Sequence, residues 1–319
     1  LRIALIGYGS VGKAFARLLE KQRKRFPFRI TAIQTRKYTA YDPKGLPIEP
    51  TWGPPATVPE FLDRAEPEVV IEITSLNPVD GEPAISHIRA AFARGLPVIT
   101  ANKGPIAHAY AALRAEAAAR HILFRFESTV MDGSPVFNLV RNNLPGVTIE
   151  GVSGVLNSTT KVVLAEMAQG RSLADGIRLA QEMGIAEADP AYDIDGWDAA
   201  AKTAALANVL MDANVTPQMV DRTGIGAITP EEIQAAAAAG FVITLVSRAK
   251  READGSLTLT TRPERLPEDD LLANVDGTSN VLLLHTDLMG TQGIVSVTPG
   301  VEQTAYGLFA DLVDIAQQL

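Results

Sequence analysis

The sequence predicts an α/β protein in which a mostly parallel, doubly wound sheet is followed by an α+β domain with a mixed or antiparallel sheet. Three observations carry that expectation. Short apolar runs alternate with helical patterns in the first part of the chain, and a glycine-rich turn joins the first strand to the first helix. After Gly133 the pattern changes to clustered helices followed by strands. Strand–helix alternation implies right-handed crossovers between parallel strands.

Taken in order, Arg2–Ile6, Arg29–Thr35, Val69–Thr74, Pro97–Thr100 and Ile122–Glu127 read as strands. Between them Val11–Gln22, Pro83–Arg94 and Ala107–Arg120 have apolar residues at helical spacing. Tyr41–Pro59, rich in Pro and Gly, reads as an irregular connection. Val147–Leu156 is a further strand, followed by helices at Thr159–Gln169, Leu173–Met183, Trp197–Asp212 and Pro230–Ala238. Phe241–Lys250 and Ser256–Thr261 form antiparallel strands, Val281–Leu284 and Gly293–Val297 complete that sheet, and Thr304–Leu319 is helical. The expected domains are residues 1–132 and 133–303, with the helix of 304–319 returning to the first.

Composition narrows the function. Thirty-seven acidic residues against 29 basic ones give a formal net charge of -8, a poor balance for binding nucleic acid or an anionic membrane. No apolar run reaches the roughly 20 residues of a membrane span, and no signal-peptide pattern opens the chain, so a cytoplasmic protein is expected. Zero cysteines exclude disulfides, thiolate metal sites and cysteine nucleophiles.

Gly7-Tyr8-Gly9-Ser10-Val11-Gly12 lies between the first strand and the first helix. Gly7 permits the tight turn, Gly9 lets the backbone approach a pyrophosphate, and Gly12 lets helix and strand pack closely. The helix start at Ser10 and Val11 supplies N–H groups to the phosphates. This is the fingerprint of a Rossmann-type NAD(P)-binding domain. A P-loop is a poorer fit, because Ala14 follows Gly12-Lys13 where Ser or Thr would ligate magnesium. The second strand ends Gln34-Thr35-Arg36-Lys37, with no carboxylate to grip a ribose hydroxyl. Arg36 and Lys37 can instead pair with a 2′-phosphate, which favours NADP(H) over NAD(H).

The segment Glu187–Asp198 places five carboxylates in twelve residues, and Lys202 follows Asp198 by one helical turn. It fails as an EF-hand: from Asp193, the sixth position is Asp198 instead of Gly and the twelfth is Ala204 instead of Glu. Its own residues leave two readings open, a solvated acidic loop or an ordered site. His87, His108, His121 and His285 are scattered and read as surface or helix residues.

Gly184-Ile185-Ala186-Glu187-Ala188-Asp189-Pro190, continuing through Asp193-Ile194-Asp195-Gly196-Trp197-Asp198 to Lys202, resembles the signature of homoserine dehydrogenases. Thr100-Ala101-Asn102-Lys103-Gly104-Pro105 resembles the same family's ANK segment, and Gly154-Val155-Leu156-Asn157-Ser158-Thr159-Thr160 its GxxNGT segment. The likeness covers nearly the whole chain, in the short form without aspartokinase or ACT regions. It implies NAD(P)-dependent interconversion of L-homoserine and L-aspartate 4-semialdehyde, by a homodimer in threonine and methionine biosynthesis. It further implies that Lys202 exchanges a proton with the substrate oxygen and that Lys103 helps to polarise it. Glu187, Asp193, Asp198 and Thr159 would hold the substrate's ammonium and the lysines, while Thr74 and Gly300 would lie near the cofactor. Glu127, Val130, Asp132 and Ser134 match the family's site for a monovalent cation, Na+ or K+; a plain interdomain hinge fits the same residues. Three departures stand out: Ser158 for the usual Gly, Asp132 for a small residue, and Pro299-Gly300-Val301-Glu302 in place of a glycine-rich stretch.

Three rivals are weaker. A semialdehyde dehydrogenase with the same substrate needs a cysteine, and there is none. A related amino-acid dehydrogenase would recruit a histidine, and the four here are scattered. A non-enzymatic NADP(H) sensor explains the glycine loop but not Lys103, Lys202 and the acidic segment together. A lysine at its ordinary pKa near 10.4 is almost entirely protonated at neutral pH. Lys202 is therefore expected to act most readily as an acid, in the direction of semialdehyde reduction.

Overall fold

The computed structural model describes all residues, 1–319, as two compact units: 1–139 with 300–319, and 140–299. In the first unit the apolar runs become β1 (Arg2–Ile6), β2 (Arg29–Gln34), β3 (Thr39–Tyr41), β4 (Val69–Glu72), β5 (Val98–Thr100) and β6 (Phe124–Arg125). They form one sheet in the order β3-β2-β1-β4-β5-β6, parallel except for the edge pair β2–β3. The helices are α1 (Ser10–Gln22), α2 (Val58–Ala65), α3 (Ala84–Phe92) and α4 (Lys103–Ala119), with α5 (Phe137–Asn143) crossing into the second unit.

Both faces of this sheet are covered, so its central strands are apolar throughout. Ile3, Leu5, Ile33, Val69, Ile71 and Ile99 are fully buried, packed with Phe15 of α1 and with Leu308, Leu312 and Ile315 of the C-terminal helix, Val301–Ala316.

The first unit runs beyond the expected boundary, and close backbone packing gives the reason. A Cβ on Gly133 would stand 2.0 Å from the carbonyl oxygen of Gln303, and one on Gly307 would stand 2.8 Å from Gly133 Cα. Residues 133–139 and 300–303 are thereby held to the first unit, instead of opening and closing the second.

In the second unit β7 (Ile149–Val155) is followed by α6 (Ser158–Ala168), α7 (Leu173–Glu182), the single turn α8 (Ala191–Ile194) and α9 (Trp197–Leu210). Then come β8 (Asp221–Arg222), α10 (Pro230–Ala238), β9 (Phe241–Arg251), β10 (Leu257–Pro267), β11 (Asn280–Thr286) and β12 (Gly290–Ser296). The sheet order is β12-β11-β7-β9-β10-β8, antiparallel except for β8–β10. α9 is alanine-rich on its buried side, which lets it lie close on the sheet, where Thr203 meets Thr261 at 3.0 Å.

Several elements depart from the expectation. β3 and α2 flank the stretch read as an irregular connection, meeting it at Tyr41 and at Val58–Pro59, and α4 starts at Lys103 instead of Ala107. β10 runs to Pro267, well past Thr261, because β9 offers partners along its whole length.

Candidate active site

The first unit builds a dinucleotide cradle from its glycines. Gly7 has φ +102°, and a Cβ there would stand 2.4 Å from the Ile73 carbonyl oxygen. Gly9 is different: nothing lies within 4 Å of a Cβ built on it, so the space above the start of α1 is open. No side chain caps that helix start. Open space over uncapped backbone N–H groups suits a phosphate. Gly12 packs tightly, 3.0 Å from Tyr8 and 3.2 Å from Ile73 by the same measure.

Arg36 and Lys37 are exposed in the turn after β2, where Thr35 Oγ1 accepts from the Lys37 and Tyr38 backbone N–H groups at 3.3 and 3.0 Å. Lys103 is the first residue of α4. Asn102 caps that helix, accepting from Gly104 N at 3.0 Å, and its amide donates to the Thr74 carbonyl at 3.2 Å. Gly300 caps the C-terminal helix with φ -161°, extended backbone that any residue adopts.

In the second unit one amide organises the charged side chains. Asn157 caps α6, accepting from Thr160 N at 2.8 Å, and its Nδ2 donates to Asp193 at 2.7 Å and to Asp198 at 3.0 Å. Thr159 Oγ1 donates to the other Asp193 oxygen at 2.9 Å. Lys202 Nζ donates to the Leu156 carbonyl at 2.6 Å and pairs with Asp198 Oδ2 at 3.0 Å. Burial and the neighbouring Asp198 carboxylate raise the Asp193 pKa, against the opposing pull of Asn157, Thr159 and Lys202. The Tyr192 phenol is pushed up as well, by burial and by Asp198 and Asp193, and its hydroxyl is buried without a hydrogen-bond partner. Asp193, Asp198 and Lys202 of the acidic segment therefore form an ordered hydrogen-bonded cluster, while Asp195 between them stays exposed.

Gly196, at φ +80°, turns the chain between α8 and α9, and the Arg222 guanidinium lies 3.8 Å over the Trp197 ring.

Asp193, Asp198, Thr159 and Lys202 are thus brought together, but Glu187 is not. It is exposed, and its carbonyl, not its carboxylate, accepts from Gln181. Asn157, which sequence reading left unassigned, proves to be the hub; its position within the Asn157–Thr160 segment was the available signal. Ser158 makes its own bond in place of glycine, donating to the Thr278 carbonyl at 2.8 Å.

The segment read as a cation site or hinge is clamped by Glu127. Its carboxylate accepts from the backbone N–H groups of Val136, Phe137 and Asn138 at 2.6, 2.8 and 2.6 Å. Burial, reinforced by Asp311, lifts its pKa to about 7 despite those three bonds. Asp132 sits at φ +54°, where its carboxylate accepts from Thr304 at 3.2 Å. No group of three or more His, Asp or Glu side chains could hold a metal ion.

The homoserine dehydrogenase NAD-binding domain family matches residues 7–127, and the homoserine dehydrogenase catalytic family matches residues 135–313. The chain belongs to the homoserine dehydrogenase family. It is 34% identical to a homoserine dehydrogenase of Methanocaldococcus jannaschii, over 98% of each chain. It is 33% identical to an NAD(+)-dependent homoserine dehydrogenase of Pseudomonas canavaninivorans, over 99% of this chain and 96% of that one. Among solved structures, a putative homoserine dehydrogenase from Archaeoglobus fulgidus superposes with a TM-score of 0.89 at 31% identity, covering 99% of both chains. A hyperthermophilic archaeal homoserine dehydrogenase in complex with NADPH gives 0.84 at 26%, covering 100% of this chain and 98% of that one. Within this homoserine dehydrogenase fold the glycine cradle and the lysine–carboxylate cluster fall in the cofactor and catalytic domains respectively.

Proposed function

We propose that this homoserine dehydrogenase reduces L-aspartate 4-semialdehyde to L-homoserine with NADPH, reversibly, and that Lys202 supplies the proton. The observation that carries the assignment is the hydrogen-bonded cluster of Asn157, Asp193, Asp198 and Lys202, which presents an ammonium flanked by carboxylates. NADPH, when bound, supplies the hydride. The chain's residues hold it by Gly7, Gly9, Ser10, Val11 and Gly12 at the pyrophosphate, with Thr74 and Gly300 beside it. Lys202 delivers a proton to the carbonyl oxygen as it becomes an alcohol, and Lys103 polarises that oxygen. Asp193, with Thr159 behind it, and Asp198 offer acceptors to the substrate's ammonium. Glu187 is assigned to the same task by resemblance, although its exposed position sets it outside the hydrogen-bonded cluster.

NADP(H) is favoured over NAD(H) because β2 is followed by the exposed Arg36 and Lys37 and by no carboxylate, a pairing that suits a 2′-phosphate. A relative described as NAD(+)-dependent makes this preference the first point to measure. A monovalent cation, Na+ or K+, is assigned by resemblance to Glu127, Val130, Asp132 and Ser134. The homodimer reading is supported by Leu288, Met289, Val295 and Val297, all more than half exposed along and beside the β11–β12 hairpin. Threonine and methionine biosynthesis in the cytoplasm is the setting this reaction implies.

The test is NADPH oxidation with aspartate semialdehyde by wild type and Lys202→Ala. Loss of about 10²–10⁴ in kcat/KM, with NADPH binding retained, is expected. A wild type that binds NADPH tightly without turnover would establish the sensor instead.

A further inference from the structure

Glu72, at the carboxyl end of β4, is 0% exposed and is not one of the residues assigned above. Its carboxylate is surrounded by donors. Oε1 accepts from the Thr74 backbone N–H at 3.0 Å and from the Thr74 hydroxyl, and Oε2 accepts from Thr100 Oγ1 at 2.8 Å. Thr100 Oγ1 in turn accepts from Asn102 N at 3.0 Å, and Asn102 caps the helix that begins at Lys103 and bonds the Thr74 carbonyl. His87 Nδ1, on α3, lies 3.9 Å from Oε1. One buried carboxylate therefore ties the end of β4 to the end of β5, and with them Thr74 and the start of α4.

The position of this charge matters. The strand order reverses between β1 and β4, and in such sheets the dinucleotide lies outside the carboxyl ends of the strands at that switch. With a pyrophosphate held at the glycine cradle after β1, the remaining half of the dinucleotide would extend along the β4–β5–β6 side of that switch. We propose that Glu72 is a positioning residue of the cofactor site: it fixes Thr74 and the Lys103 end of α4, and its negative charge biases the site toward the oxidised, cationic nicotinamide. That bias lowers the barrier to hydride donation, because positive charge grows on the ring as hydride leaves. The proposal rests on the cofactor reading above, but its test does not need turnover.

The experiment measures Kd for NADP+ and for NADPH with wild type, Glu72→Gln and Glu72→Asp. In Glu72→Gln, Kd(NADP+)/Kd(NADPH) should rise by about fivefold or more, as expected for a lost charge in a partly buried site. Glu72→Asp should keep the wild-type ratio, since the charge remains although the shorter side chain stretches its ties to Thr74 and Thr100. Thr100→Val, which leaves the charge in place, should also keep the ratio and guards against a Gln variant that fails to fold. Equal weakening of both forms in Glu72→Gln, or no change in either, overturns the proposal and leaves Glu72 as a core hydrogen-bond partner. A wild type that binds neither form overturns the cofactor reading itself.

Discussion

Asp198 Oδ2 lies 3.0 Å from Lys202 Nζ, one turn away on the same helix, and both side chains are largely shielded from water. The carboxylate favours the ammonium, the form that donates a proton to a carbonyl oxygen. Homoserine oxidation needs the opposite form. Asp198→Asn should therefore let oxidation reach its plateau at lower pH than in wild type, while semialdehyde reduction slows by about tenfold or more. A pH–rate profile of kcat in both directions, taken where chemistry is limiting, checks this.

Arg36 and Lys37 carry the cofactor choice. The double variant Arg36→Ala/Lys37→Ala should raise KM for NADPH at least about tenfold, the scale of a lost charge-assisted contact to phosphate. KM for NADH should stay near its wild-type value. Initial rates with both cofactors decide it; an equal change in both would remove these residues from the 2′-phosphate site.

The two glycines of the cradle should fail in different ways. Gly7→Ala puts a Cβ 2.4 Å from the Ile73 oxygen at φ +102°, so a stability loss of about 2 kcal/mol or more is expected. Gly9→Ala meets nothing within 4 Å and should leave the melting temperature almost unchanged while weakening NADPH binding. Thermal midpoints compared with cofactor Kd separate strain within the protein from blockage of the ligand.

Glu127 makes stability depend on pH. Its folded pKa of about 7 lies above the ordinary 4.5, so its contribution is fully present below pH 4.5 and is lost as pH rises through 7. The shift corresponds to about 3 kcal/mol. The Tm of wild type relative to Glu127→Gln should accordingly fall between about pH 5 and 8. A bound monovalent cation would hold Glu127 ionised, so added Na+ or K+ should flatten that slope; choline chloride at equal ionic strength is the control. An unchanged slope would leave the segment as a clamped hinge.

Much of the fold was legible because its signals are local. The apolar runs of β1, β2 and β4 and the turn at Gly7 need only near neighbours in the sequence. β3 and α8 were missed because three or four residues carry no period. α2 was missed because it lies next to a stretch rich in Pro and Gly, although its capping box of Thr57 and Glu60 was there to be read. A change of pattern near Gly133 does not reveal that Gly133 packs against Gln303 and Gly307, which ties residues 133–139 to the first unit.

The order of residues alone carries the cofactor motif, the family resemblance and, through the missing cysteines, the exclusion of a thiol route to the same semialdehyde. Which carboxylates of the acidic segment come together is a matter of the folded chain. Asp193 and Asp198 meet at Asn157, some forty residues earlier in the chain, whereas Glu187 turns outward. Likewise Glu72 looked like any other acid until folding brought the Thr100 hydroxyl to it, and Glu127, marked only by resemblance, gained its role as a clamp from the backbone N–H groups of residues 136–138. Spacing along a helix or strand is written in the sequence, but a buried charge acquires its role from the hydrogen bonds that must surround it, and those come from everywhere in the chain.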